Sequence, residues 1–142
     1  MSKRLGPRLV DTSAWHMSTR AQVAERWEEA LAEDHLVLCA PVELEILFSA
    51  RSHTDYQGLA RELAALPHVP CGESAFERAI DVQGRLAKAG GLHHRSVKVP
   101  DLIIAAAAEL ADLPVWHYDE RFDRIAAITG QPTAWIARKG TL

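Results

Sequence analysis

Asp11, Asp101 and Asp119, with Glu43 and Glu45, stand where apolar stretches of this chain begin or end. Asp11 closes Leu9-Val10, and Asp119 closes Val115-Trp-His-Tyr. Asp101 lies between Pro100 and the run Leu-Ile-Ile-Ala, and the two glutamates sit inside Pro41-Val-Glu-Leu-Glu-Ile-Leu. Carboxylates brought to one place repel, and at least one must then hold its proton unless a cation joins them. A hard divalent ion such as Mg²⁺ suits a few carboxylates together with water and phosphate oxygens. Such a centre polarises a phosphodiester and activates water for in-line attack, which would leave a 5′-phosphate and a 3′-hydroxyl. Thr12 and Ser13, next to Asp11, are suited to bond a carboxylate, a bound water or a phosphate, and equally to serve as turn residues.

Each acid also has a plainer use. Asp11 and Asp119 suit helix N-caps. An acid at position 101, in the first turn of a helix, is favoured by the helix dipole by roughly 0.3–1 kcal/mol. Glu43 and Glu45 are two residues apart, about 200° around a helix, so at most one can face a shared site. Their apolar neighbours leave that choice open.

The positioning elements are readable from periodicity. Arg8 to Asp11 reads as a first strand and His35 to Cys39 as a second, continuous and covered on both faces. Val115 to Tyr118 and Thr133 to Ile136 complete the strands, with His68-Val69 a further short candidate. Helices are expected from Ser13 to Met17, over Ala21–Ala32 with Ser18 as N-cap, from Pro41 to about Ala50, and over Thr54–Ala65. Another runs over Ser74–Ala89 with Phe76, Ile80 and Leu86 on one side, stopped by Gly90-Gly91. The last two run from Pro100 through Ala111 and from Glu120 to Ile128, before Gly130. Strands alternating with helices imply an α/β fold, a central parallel sheet flanked by helices on both faces. Two strand-terminal acids on a parallel sheet share one edge, the carboxyl edge where ligands bind in open α/β sheets.

A chain of 142 residues with 48% apolar and 25% charged residues fits one domain, residues 1–142, with no internal repeat or linker. A net charge of −3 gives no global attraction for nucleic acid, so any such partner needs a local basic patch or a bound cation. His93, His94, Arg95 and Lys98 form one basic loop. No apolar run approaches the roughly 18 residues of a membrane span. The basic start, Met1 to Arg8, lacks a signal-peptide apolar region, and a cytoplasmic protein is the expectation. Cys39 and Cys71 have no metal-binding spacing, and neither have the seven histidines. Trp27, Trp116 and Trp135 read as core or interface residues, and Trp15 as a candidate for the rim of the site.

Taken in order, Leu9-Val-Asp-Thr-Ser, Pro41-Val-Glu-Leu-Glu-Ile-Leu-Phe-Ser-Ala-Arg51, His94-Arg95 with Lys98, Pro100-Asp-Leu-Ile-Ile-Ala-Ala and His117-Tyr-Asp-Glu-Arg-Phe-Asp-Arg-Ile-Ala resemble a PIN-domain ribonuclease, specifically a VapC-type toxin of a type II toxin–antitoxin pair. The resemblance implies a PIN-like fold with Mg²⁺ or Mn²⁺ held by acids at one sheet edge. It matches Asp11, Asp101 and Asp119 to the family's acids, selects Glu45 over Glu43, and offers Asp123 as a secondary metal ligand. Ser13 or Thr12 matches the hydroxyl beside the first acid, and Arg95 and Lys98 match basic residues that hold the RNA backbone. It further implies a VapB-like antitoxin received by the helical pair after the second strand, and a homodimer. His117-Tyr118 departs from the pattern, since a Thr or Ser often stands before the fourth acid. A haloacid-dehalogenase-like or receiver domain also ends its first strand on Asp, but Ser13 stands where the former needs a second Asp, and the latter's acidic pair and mid-chain Asp are missing. The remaining alternative is a catalytically inert PIN-like module that binds RNA or protein.

Overall fold

The computed structural model describes residues 5–142, so Met1 to Arg4, with the start of the basic N-terminal segment, lie outside the described residues. The chain runs β1 (Arg8–Val10), α1 (Thr12–Met17), α2 (Ala21–Ala32), β2 (Leu36–Val37), α3 (Ala40–Phe48), α4 (His53–Ala64) and α5 (Glu73–Lys88). A 3₁₀ turn (His93–Arg95), α6 (Val99–Leu110), β3 (Val115–His117), α7 (Arg121–Thr129) and β4 (Thr133–Trp135) follow. The four strands form one sheet in the order β2-β1-β3-β4, every pair parallel.

That order reverses direction between β1 and β3, so the carboxyl ends of these two central strands flank the switch point of the sheet. All three residues of β1 and of β3 are buried. Successive strand side chains point to opposite faces, so both faces are covered. On one face Trp116 stacks on Trp27 of α2, ring centroids 5.8 Å apart. On the other His117 packs against Phe122 of α7 at 5.1 Å. Arg8 lies over the Trp116 ring at 4.5 Å, which accommodates a cation in an otherwise apolar layer.

The strands are shorter than the sequence suggests. The second is two residues long, and Leu38 continues it by a single parallel bridge to His68, which is all that forms of the His68-Val69 strand. Ser18 is not the N-cap of α2: it ends α1, and Arg20 occupies the cap position without a side-chain bond. The packed side of α5 also differs. Ala75, Ala79, Val82 and Leu86 are buried, whereas Phe76 and Ile80 stand exposed. The partner helix α6 is a run of alanines, and two small-residue faces approach closely, a contact the bulkier Phe and Ile would hold apart. Gly90 and Gly91 both have positive φ (86° and 64°) and turn the chain out of α5 as expected. Among the described residues no helix is long and apolar enough to cross a membrane.

Candidate active site

Asp11 leaves β1 and caps α1. Its Oδ2 accepts from the backbone N–H of Ser13 (3.0 Å) and from the Ser13 hydroxyl (2.6 Å). The same hydroxyl accepts from the backbone N–H of Tyr118 at 2.9 Å. Ser13 therefore ties the end of β1 to the end of β3 across the switch point, with both its donor and an acceptor site in use. Asp119 stands one residue before Glu120, the N-cap of α7, and its two carboxylate oxygens accept from the backbone N–H and the guanidinium of Arg121, both at 3.0 Å. The plain capping reading is met for Asp11, whereas at α7 the cap position falls to Glu120 and Asp119 only bonds the first helical residue, Arg121.

Asp101 lies in the first turn of α6, 7% exposed, and its Oδ2 has no hydrogen-bond partner. Burial, then the negative charges of Asp11 and Asp119, push its carboxyl up to about 7, with Glu45 adding to the shift and Arg121 opposing it. Asp11 is raised as well, by burial first and Glu45 among the lesser causes, against the lowering effect of the Ser13 bonds. Four acids from β1, α3, α6 and the β3–α7 turn thus share one field. Elementary electrostatics makes such an arrangement costly without a cation.

The choice between the α3 glutamates has a geometric answer. Glu45 accepts from the Thr12 hydroxyl at 3.1 Å and faces the other acids. Glu43 turns away to His68, 2.8 Å from its Nε2. Asp123 also points elsewhere: it accepts from the Trp135 indole at 3.1 Å and lies 3.9 Å from His117 Nε2. His117 is fully buried, and burial brings its pKa down to about 4. Its Nδ1 accepts from the backbone N–H of Asp119 at 3.1 Å, so the neutral ring carries its proton on Nε2. The histidine before the fourth acid is a support for the backbone of Asp119.

Every donor in the set is a carboxylate oxygen, the chemistry a hard cation takes, and the orphaned Asp101 Oδ2 leaves a buried acceptor for it. Among the described residues no group of three or more His, Cys, Asp or Glu side chains is already gathered as a metal cage. Three of the acids are engaged by Ser13, Thr12 and Arg121.

Comparison with known proteins matches a family model, the PIN domain, to residues 8–128. The chain belongs to the PIN-domain family. Within it the chain is similar to VapC proteins. Ribonuclease VapC18 of Mycobacterium tuberculosis is 59% identical over 133 residues, covering 94% of this chain and 97% of the relative. Ribonuclease VapC21 of the same species is 42% identical over 134 residues, covering 94% and 96%. In fold, the PIN domain here resembles a chain in the crystal structure of DNA-bound VapBC from Salmonella typhimurium, with a TM-score of 0.73 at 16% identity, over 93% of this chain and 99% of that one.

Two surfaces of this PIN domain adjoin the acids. An open cleft of about 730 Å³ is lined by Asp119 and Glu120 together with Arg95, Tyr118, Arg121, Arg124, Trp135 and Lys139. Lys98 is exposed but lies outside this lining. On the other side, Glu45 and Thr12 share a hollow of about 460 Å³ with His16, Leu44 and Phe48. Sequence reading missed Arg121, Arg124 and Lys139. Arg121 and Arg124 belong to the helix that follows β3, and Lys139 to the tail that follows β4. Trp15 packs edge-on to Trp27 at 5.6 Å and not onto the acids.

Proposed function

We propose that this PIN-domain protein is a metal-dependent endoribonuclease toxin restrained by a VapB-like antitoxin. The observation that most supports this reading is the Asp101 carboxyl, buried and unpartnered beside Asp11, Asp119 and Glu45. A divalent ion, Mg²⁺ or Mn²⁺, would be held by these four acids and would supply Lewis acidity towards a phosphodiester and towards water. Asp11 is oriented by its cap bonds to Ser13 and Asp119 by its bonds to Arg121, Thr12 steadies Glu45, and Ser13 fixes the spacing of the two central strands. Asp123, committed to Trp135, is at most an outer support. Arg95 and Lys98 hold the phosphate backbone. The products carry a 5′-phosphate and a 3′-hydroxyl. Relatives named ribonucleases, similar over nearly their whole length, support the same reading.

The antitoxin docks on the α3 side. Phe48 is 91% exposed and Leu44 68%, beside Glu45, an apolar shelf suited to an amphipathic helix. A homodimer contact is assigned to the groove between α5 and α6, where Phe76, Ile80 and Val99 remain uncovered. The protein acts in the cytoplasm.

The deciding experiment incubates antitoxin-free protein with total RNA in Mg²⁺ or EDTA, beside an Asp11→Asn variant. Discrete fragments that need both Mg²⁺ and Asp11 are expected, with ends matching the stated chemistry. Well-folded protein that cuts nothing over several divalent ions would leave an inert binding module.

A further inference from the structure

The cleft beside Asp119 collects more positive charge than the chain as a whole would lead one to expect. The protein carries −3 overall, yet Arg95, Arg121, Arg124 and Lys139 line this one hollow against Asp119 and Glu120. Glu120 does not simply oppose them. Its carboxylate takes Arg124 at 3.1 Å on one oxygen and Lys139 on the other, so it holds two cations in place. Arg124 also donates to the carbonyl of Ser96 at 3.2 Å, which ties the basic loop to α7. Cations fixed in this way form a track for a phosphate backbone.

Two aromatic rings stand in the same cleft. Trp135 ends β4 and Tyr118 follows β3, and the register of the two strands pairs His117 with Trp135. The Trp135 and Tyr118 rings meet edge to face, centroids 5.6 Å apart and 85° between planes. Trp135 is anchored further by its indole bond to Asp123 and by the His117 ring at 4.9 Å. Asp123 thus has a use that metal binding does not require of it. A ring fixed before its ligand arrives loses little freedom on binding. Single-stranded RNA is bound by this pairing of features, cations for the phosphates and an aromatic face for an unstacked base.

We infer that the cleft between the basic 3₁₀ turn, α7 and the end of β4 is the path of a single-stranded RNA segment, with Trp135 as the platform for a base next to the scissile phosphate. The inference rests on the ribonuclease reading and adds to it a recognition site on the Asp119 side. Because Asp119 lines the cleft, the stacked nucleotide shares it with one of the four acids.

The test measures binding of fluorescein-labelled single-stranded RNA by anisotropy, in an Asp11→Asn background so that the probe stays intact. Trp135→Leu keeps apolar bulk but removes the π face, and should weaken binding about 5- to 150-fold. Trp135→Phe keeps a ring and should recover most of that loss. RNA should quench tryptophan emission in the parent, and the quenching should shrink in Trp135→Phe although binding persists, which a merely structural role would not produce. Arg124→Gln and Lys139→Gln should each flatten the salt dependence of binding by about 0.7 in the log–log slope. Should the wild-type protein cut RNA while Trp135→Leu binds as tightly as its parent, the cleft assignment falls and the ribonuclease reading stands. If that variant instead loses affinity for the antitoxin alone, the cleft belongs to a protein partner. A wild-type protein that neither binds nor cuts RNA overturns both.

Discussion

The two flanks of the acid cluster are built from opposite materials. Towards α7 and β4 the wall is cationic and aromatic, with Arg121, Arg124, Lys139 and Trp135 held by hydrogen bonds or ion pairs. Towards α3 it is apolar and bare, with Phe48 and Leu44 turned to solvent beside Glu45. A charged wall is stable in water without a partner, whereas an exposed Phe and Leu together are costly until something covers them. On the proposed reading the flanks take different ligands, a polyanion on one side and a protein helix on the other, with the carboxylates between them. Arg121 on Asp119 previews how a partner's cation would quieten the acids.

The strongest attempt to break this division removes its centre. Asp11→Asn, Asp101→Asn or Asp119→Asn should each abolish RNA cleavage with the circular dichroism spectrum unchanged. An Asn variant that cuts at the parental rate would displace the catalytic centre from these acids. Next in size is the apolar flank. Phe48→Glu should weaken antitoxin binding at least about 30-fold, as loss of a central interface anchor does, while antitoxin-free protein still cuts RNA. A parallel loss of cleavage would merge the two flanks into one surface.

A smaller effect sharpens the account of the centre itself. Asp101 has a folded-state pKa of about 7 against an ordinary 3.8. Between those values the folded chain binds more protons than the unfolded one, so this residue's contribution to stability is intact at low pH and is lost as pH rises through 7. Asp101→Asn has no proton to lose. Without divalent ions, its melting temperature should exceed the parent's by a margin that grows from pH 4 to 7. His117, lowered to about 4, acts in the opposite sense over much of that range, but it is common to both proteins and cancels from the difference. A margin independent of pH would mean that Asp101 is ionised throughout. Smallest of all, Glu43→Gln should change cleavage far less than Glu45→Gln, since Glu43 meets only His68 among the contacts described.

Much of this was legible in the chain, for a physical reason. Acids that end apolar strands of a parallel sheet emerge at one edge, so Asp11 and Asp119 marked the carboxyl edge, though not the strand order that makes it a switch point. The α6 acid was legible because a buried alanine helix has to present its first turn to that edge. Glu45 was not, because α3 is apolar on nearly every side and periodicity alone carries no direction there. The faces of α5 were misread because alanines, not the large residues, form its contact with α6. Arg121 was passed over, and Trp135 was read only as a core or interface residue, for another reason. Their roles depend on which loops and strand ends the fold sets side by side, and no local pattern encodes that.

The bond from Tyr118 to the Ser13 hydroxyl spans 105 residues. A ribosome adding about 5–20 residues each second needs roughly 5–20 s to make that stretch. Until β3 has been synthesised, Asp11 has no central strand beside it and Asp119 does not yet exist. A nascent or prematurely ended chain therefore carries most of the acids but no assembled centre. The topology that buries the sheet also works as a delay, since the four acids can meet only when synthesis is nearly complete.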